Sequence, residues 1–263
     1  MTEFRPSRFE ILPIVIKNIL IINTLVFLAQ ITFNKNIELY DQSYIEATFG
    51  LHHVKSPLFQ PWQLVTHLFM HGDFAHILYN MFALWMFGSI LENIWGPKRF
   101  LTFYFLCGIG AGVIQLISLW FQYDDLINQF MFFKSQVNSE NIDQFYQSYG
   151  LTARTGASFM DKVQYVSDLT NKRISSTTIG ASGAVFGILA AFVYLFPNNL
   201  IYIYFMFPVK AKWIGAAYFA YEMYSAYLNK PGDNVAHWAH LGGGLVGFLL
   251  VLTWNKKNRR NFY

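Results

Sequence analysis

Three short stretches of this 263-residue chain place reactive side chains among neighbours that are almost all apolar. The first is "GASGAVFG", with Ser182 between glycines. The second is "AHLGGGLVG", with His240 ahead of Gly243 and Gly247. The third is "HLFMHGDFAHILYN", which holds His67, His71, His76 and Asn80. A serine hydroxyl within reach of an imidazole can give up its proton and attack a carbonyl carbon. The charge that then builds on the carbonyl oxygen needs fixed donors. His76 and Asn80, four residues apart, share one helical face and can aim two donors at one oxygen.

Each stretch also has a plainer reading. Gly183 and Gly187, like Gly243 and Gly247, are spaced to let helices approach closely, and Ser182 could simply bond back to its own helix. If the two glycine faces meet, however, Ser182 and His240 come within hydrogen-bond reach. His237, one turn before His240, suits an interfacial or supporting place. His67 and His71 would form an i, i+4 metal pair if that segment were helical, but no HExxH motif is present and Asp73 is the only acid nearby. The expectation is therefore no metal and no cofactor. His71 is expected to support the start of the following helix by bonding to the loop before it.

These residues need a scaffold, and its medium is legible in the composition. Residues are 54% hydrophobic and only 13% charged, about half the charged share of soluble domains. The net charge of +4 is spread over short segments flanking apolar runs, which argues against nucleic acid as a partner. Cys107, the single cysteine, lies within an apolar run and reads as core packing. A bilayer core needs roughly 20 apolar residues per helix. Six stretches come close, at about 12–33, 74–95, 100–121, 180–196, 212–228 and 236–254. The first has no small-residue cleavage site after it and reads as a retained span.

With six spans, the N-terminal lead, the 96–99 turn, the 197–211 connector and the C-terminal tail share one side. Together with the span ends beside them they carry 11 of the 19 Lys and Arg residues but only three acids, Glu3, Glu10 and Glu92. The positive-inside rule then puts both termini in the cytoplasm. The connector run 200–209 is too short to span and reads as an interfacial segment with aromatic anchors. The polar segment 122–179 is too long for a plain loop and is expected to be a partly folded outer cap or a gate.

Together these motifs resemble the rhomboid family of intramembrane serine proteases. The likeness rests on "GASG" around Ser182, on A-H-x-x-G-x-x-x-G from Ala239 to Gly247, on H-x(4)-H-x(3)-N at His71, His76 and Asn80, and on "GPKRF" after Glu92. It covers roughly 60–121 and 177–254. The resemblance implies an all-α, six-helix bundle forming a single membrane domain over 1–263, with an enlarged outer loop between helices three and four. It implies Ser182 as nucleophile and His240 as general base with no third acidic member. It implies an oxyanion hole from His76, Asn80 and the Ser182 backbone N–H, and Phe186 as a platform under the histidine ring. The implied substrates are single transmembrane helices cut near their outward end, with the lipid bilayer as the other partner and a bacterial plasma membrane as the location. Two departures stand out. Trp62 sits in "PWQ", where many members have a Trp-Arg pair, and the 122–179 insertion exceeds the minimal form. The alternative is an inactive relative that binds membrane clients without cutting them.

Overall fold

In the computed structural model the described residues are 9–33, 36–37, 42–135, 139–152, 156–203, 206–228 and 235–259. Helix α1, Ile14–Thr32, turns Ile16, Ile19, Asn23, Phe27 and Gln30 inward, a spacing of three and four residues that makes one seam. Its exposed face is mostly apolar, with Ile14, Ile21, Ile22, Leu25, Leu28 and Ile31 beside Lys17, Asn18 and Thr24. Polar groups inside and aliphatics outside is the distribution that lipid favours. The start of α1 is held by Glu92, whose two carboxylate oxygens accept the backbone N–H groups of Val15 and Ile16, each at 2.9 Å. The buried carboxyl oxygens there satisfy donors that have no partner within the helix. Glu92→Ala leaves those donors buried without it, so we expect the thermal midpoint to fall by several degrees, a loss of about 1.5–3 kcal/mol. Calorimetry in detergent would register it.

Helix α2, Phe74–Trp95, follows its predicted span and contains one π turn at Leu84–Gly88. Asp73 caps it by accepting the His76 N–H at 2.8 Å. Gly96, at φ +79°, makes the turn that ends it, and Pro97 opens α3 where a missing N–H costs nothing. Helix α3 runs Pro97–Ser135, past the predicted end at 121. The polar residues from Gln122 onward end the apolar stretch but not the helix, because Leu126, Ile127 and their neighbours keep a buried face. Helices α4 (Ser139–Ser148) and α5 (Phe159–Ser175) fold onto this extension around Leu126, Ile142, Phe145, Tyr146 and Val166. The segment 122–179 is thus mostly helical over its described residues. Lys55 joins it to the preceding loop through Asp124 at 2.6 Å.

Helices α6 (Ser182–Leu195), α7 (Ala211–Leu228) and α8 (His237–Arg259) complete the bundle. The connector between α6 and α7 is a hairpin of β1 (Leu200–Ile203) and β2 (Phe207–Lys210), antiparallel with Ile201 opposite Val209 and Tyr202 opposite Pro208. Exposed Tyr202, Met206 and Phe207 fit the interfacial place expected of it. Among the described residues, three helices are long and apolar enough to cross a membrane unaided: Ile14–Thr32, Phe74–Trp95 and Pro97–Phe132. Ser182–Leu195 is a shorter apolar helix, buried by its neighbours from Gly183 to Phe192. The charged residues at 1–8 and 260 that set the expected orientation lie outside the described residues.

The core sits where α3, α6 and α8 meet, and glycine decides how closely. The triplet Gly242-Gly243-Gly244 serves three neighbours. A Cβ at Gly242 would come 2.7 Å from the Ile114 Cβ of α3, one at Gly243 would fall on the Gly183 carbonyl oxygen of α6, and one at Gly244 on the Phe219 ring of α7. One turn on, a Cβ at Gly247 would lie 2.5 Å from the Gly187 carbonyl oxygen. The predicted seam between α6 and α8 forms, with one refinement. The missing side chains of Gly183 and Gly187 leave room for Ala111 and Cys107 of α3, while their backbone receives Gly243 and Gly247. Cys107 is buried against this seam, in the packing role expected of it.

Candidate active site

Ser182 is the first residue of α6, so its backbone N–H is among those a helix start leaves without an intrahelical partner. Two links position it. Thr178 pairs with Leu51 in both directions, at 2.8 and 3.0 Å, and the Gly180 N–H donates to the His67 carbonyl at 2.9 Å. Gly180 has φ +123°, a conformation other residues avoid, and a Cβ there would meet His76 Nε2 at 2.7 Å. The glycine before the serine therefore both makes the turn and leaves space beside the histidine.

His240, in the first turn of α8, places Nε2 2.8 Å from Ser182 Oγ. Phe186 lies one turn after Ser182 and stacks on the imidazole, with centroids 4.3 Å apart and planes within 9°. The glycine seam brings these two helices together at the depth where the serine and histidine face each other.

On α2, the same position that a Gly180 Cβ would take is 3.6 Å from Ser182 Oγ, so His76 Nε2 and the hydroxyl flank one small space. The Gly72 N–H donates to His76 Nδ1 at 3.3 Å, so a neutral ring carries its proton on Nε2, facing that space. Asn80 is buried one turn further along and donates from Nδ2 to the His76 carbonyl at 3.0 Å, leaving a second amide hydrogen for another acceptor. His71 is tied to α1 and not to the loop before α2, and by its backbone: its N–H donates to Gln30 Oε1 at 3.0 Å and its carbonyl accepts from Gln30 Nε2 at 3.2 Å. Its ring stands edge-on to His76 at 5.1 Å.

The helical His67–His71 pair does not form. His67–Phe69 is a single 3₁₀ turn, Met70 is extended, and His67 Nδ1 bonds to the Gln63 carbonyl at 2.7 Å. Burial pushes the His67 imidazole down to about 4, which keeps it neutral at ordinary pH.

One residue of the site went unnoticed in the sequence. Glu222 of α7 is buried, and its Oε2 lies 3.0 Å from His240 Nδ1 and 2.6 Å from His237 Nδ1. The absence of an acid beside the histidine, implied by the family resemblance, is corrected by this contact. His237 is likewise buried beside the site. The signal was available: Glu222 in "FAYEMYSAYL" is an acid inside the predicted span 212–228, and such residues are functional candidates by default.

Glu222, His237 and His240 are also the one described group whose metal-ligand atoms all lie within 4.8 Å of one another. Two donors on a single zinc, each about 2.0–2.2 Å from it, stand roughly 3.3 Å apart by tetrahedral geometry. The separations of 2.6 and 3.0 Å are those of hydrogen bonds.

Comparison with known proteins agrees with this architecture. The family described as "Rhomboid domain" matches residues 58–124 and 129–257. Rhomboid protein 1, mitochondrial, of Saccharomyces cerevisiae is 28% identical over 186 residues, covering 69% of this chain and 38% of that protein. Putative rhomboid protease YdcA of Bacillus subtilis is 26% identical over 202 residues, 76% of this chain and 70% of its own. Rhomboid protease AarA of Providencia stuartii is 23% identical over 241 residues, 90% of this chain and 70% of its own. The chain thus spans well under half of the yeast relative. With a family match running through every element that frames Ser182 and His240, and with apolar helices that fit a bilayer, the chain belongs to the rhomboid family and is an integral membrane protein.

Proposed function

We propose that this protein is an intramembrane serine endopeptidase that cuts single transmembrane helices near their outward end. The observation that carries this reading is the 2.8 Å contact between His240 Nε2 and Ser182 Oγ inside a bundle of apolar helices. Two of the relatives bear names that call them rhomboid proteases, one of them putative, which supports the same reading.

The steps follow from the geometry. Ser182 gives its proton to His240 Nε2 as Oγ bonds to the substrate carbonyl carbon, and the π electrons move to the carbonyl oxygen. His76 Nε2–H, an Asn80 amide hydrogen and the Ser182 backbone N–H are the donors proposed to hold that oxyanion. Collapse breaks the C–N bond, and the leaving nitrogen takes the proton from His240. Water then loses a proton to His240 as its oxygen attacks the ester, and the Ser182 oxygen leaves with that proton. Phe186 keeps the imidazole plane fixed throughout.

The inactive, client-binding alternative has no need of a serine and histidine in contact, and that contact favours the enzyme. The six-span count, the single membrane domain and the cytoplasmic placement of both termini remain part of this proposal, supported by the distribution of basic residues. A bacterial plasma membrane finds no support in the relatives, which include mitochondrial and bacterial proteins alike.

The test is cleavage of a single-span reporter by the purified protein in liposomes, with the cut bond read by mass spectrometry. A product cut near the outward end supports the reading, and an intact reporter across varied spans contradicts it. In the same assay, His76→Ala and Asn80→Ala are each expected to lower kcat about a hundredfold with little change in KM, the usual consequence of losing one oxyanion donor. An unchanged kcat in both would assign them to helix packing.

A further inference from the structure

We infer that Glu222 is a positioning residue acting through His240, so that the site works as a serine–histidine–glutamate relay rather than a pair. The inference rests on the protease reading above and deepens it. It starts from hydrogen-bond chemistry. An ionised carboxylate only accepts, so each imidazole bonded to Glu222 Oε2 must present Nδ1–H. For His240 this leaves Nε2 with a lone pair, 2.8 Å from Ser182 Oγ, in the one neutral tautomer able to take the hydroxyl proton. Without Glu222 the ring could carry its proton on either nitrogen, and half of that choice is unproductive.

The surroundings are built for an anion. Glu222 is 2% exposed and lies against the first turn of α8, where helix N–H groups point outward and the dipole is positive. His237, also in that turn, makes the shorter bond to the same oxygen and so fixes the carboxylate that fixes His240. When Nε2 takes the serine proton, the positive charge forms on a ring already bonded to Glu222, which stays ionised. No proton passes to Glu222.

Substitutions separate this role from packing because shape and charge can be varied independently. Glu222→Gln keeps the shape but offers an amide that can donate to His240 Nδ1, which drives the proton to Nε2 and turns the base toward the serine as a donor. Glu222→Asp keeps the charge on a shorter arm. The measurements are kcat and KM for the liposome reporter, together with Ser182 labelling by a fluorophosphonate, each scaled to folded protein.

We expect Glu222→Gln to lose about a thousandfold or more in kcat with KM little changed, since an acid-to-amide change in a soluble protease triad costs about ten-thousandfold. Glu222→Asp is expected to retain more kcat than Gln. If the Gln variant does not fold, Asp is compared with Glu222→Ala, and the relay requires Asp to be the faster. A Gln variant within threefold of wild type, or Asp no better than Ala, would overturn the relay while leaving the serine and histidine assignment standing. A wild-type chain that neither labels nor cleaves would overturn both.

Discussion

Ser182→Ala and His240→Ala are each expected to abolish cleavage of a transmembrane reporter, and the double variant to be no worse than either alone. Nucleophile and base act as one unit: without the imidazole the hydroxyl keeps its proton, and without the hydroxyl the imidazole has nothing to activate. In a soluble serine protease, removal of either costs roughly a millionfold in kcat. Neither change disturbs the glycine seam, because Ser182 and His240 project into the site while Gly243 and Gly247 make the contact with α6. Thermal midpoint and helical content should therefore stay near wild type. The measurement is kcat in liposomes with and without EDTA, and no effect of EDTA is expected. Near wild-type turnover in either variant would contradict the assignment.

Gly243→Val is expected to remove measurable cleavage although no reacting group is touched. The first carbon of the new side chain would overlap the Gly183 carbonyl oxygen, and because a Cβ is fixed by its own backbone no rotamer relieves the clash. α6 and α8 must separate, and a displacement of about 1 Å between reacting groups already costs about a hundredfold in rate. Overpacking adds a stability loss of about 1–3 kcal/mol or more, so the thermal midpoint should fall as well. Gly242→Val gives a useful contrast. It meets Ile114 of α3, at 2.7 Å from a Cβ that moves only with its backbone, so the helix pushed away is α3 and not the serine-bearing α6. It should lower stability while retaining far more activity per folded molecule. Equal loss of rate at both positions, scaled to folded protein, would show that the seam does not set the Ser182–His240 distance.

What the sequence made legible follows from what a sequence encodes locally. Hydropathy located α1 and α2 to within about two residues, because an apolar run with Pro13 or Asp73 near one end and Asn34 or Gly96 at the other has little freedom in where it stops. It misjudged the end of α3, since Asp124 and Asp125 mark the end of an apolar stretch whereas a helix ends only when its backbone pairing does. The paired glycines pointed to a seam, but spacing cannot say which neighbour each glycine faces. That is why the contacts of Gly183 and Gly187 with α3 were not foreseen. Glu222 was missed for a related reason. Its partners lie 15 and 18 residues away on another helix, and only the packing of α7 on α8 joins them. The resemblance to the family also supplied a site that seemed complete without an acid.

The most direct measurement is covalent labelling of the purified wild-type protein by a fluorophosphonate, with the modified residue identified by peptide mass spectrometry and His240→Ala run alongside. The arrangement of Ser182 Oγ 2.8 Å from His240 Nε2 predicts a single adduct on Ser182 that disappears in the histidine variant. An unmodified Ser182 in folded wild-type protein, or labelling that persists unchanged without His240, would contradict it.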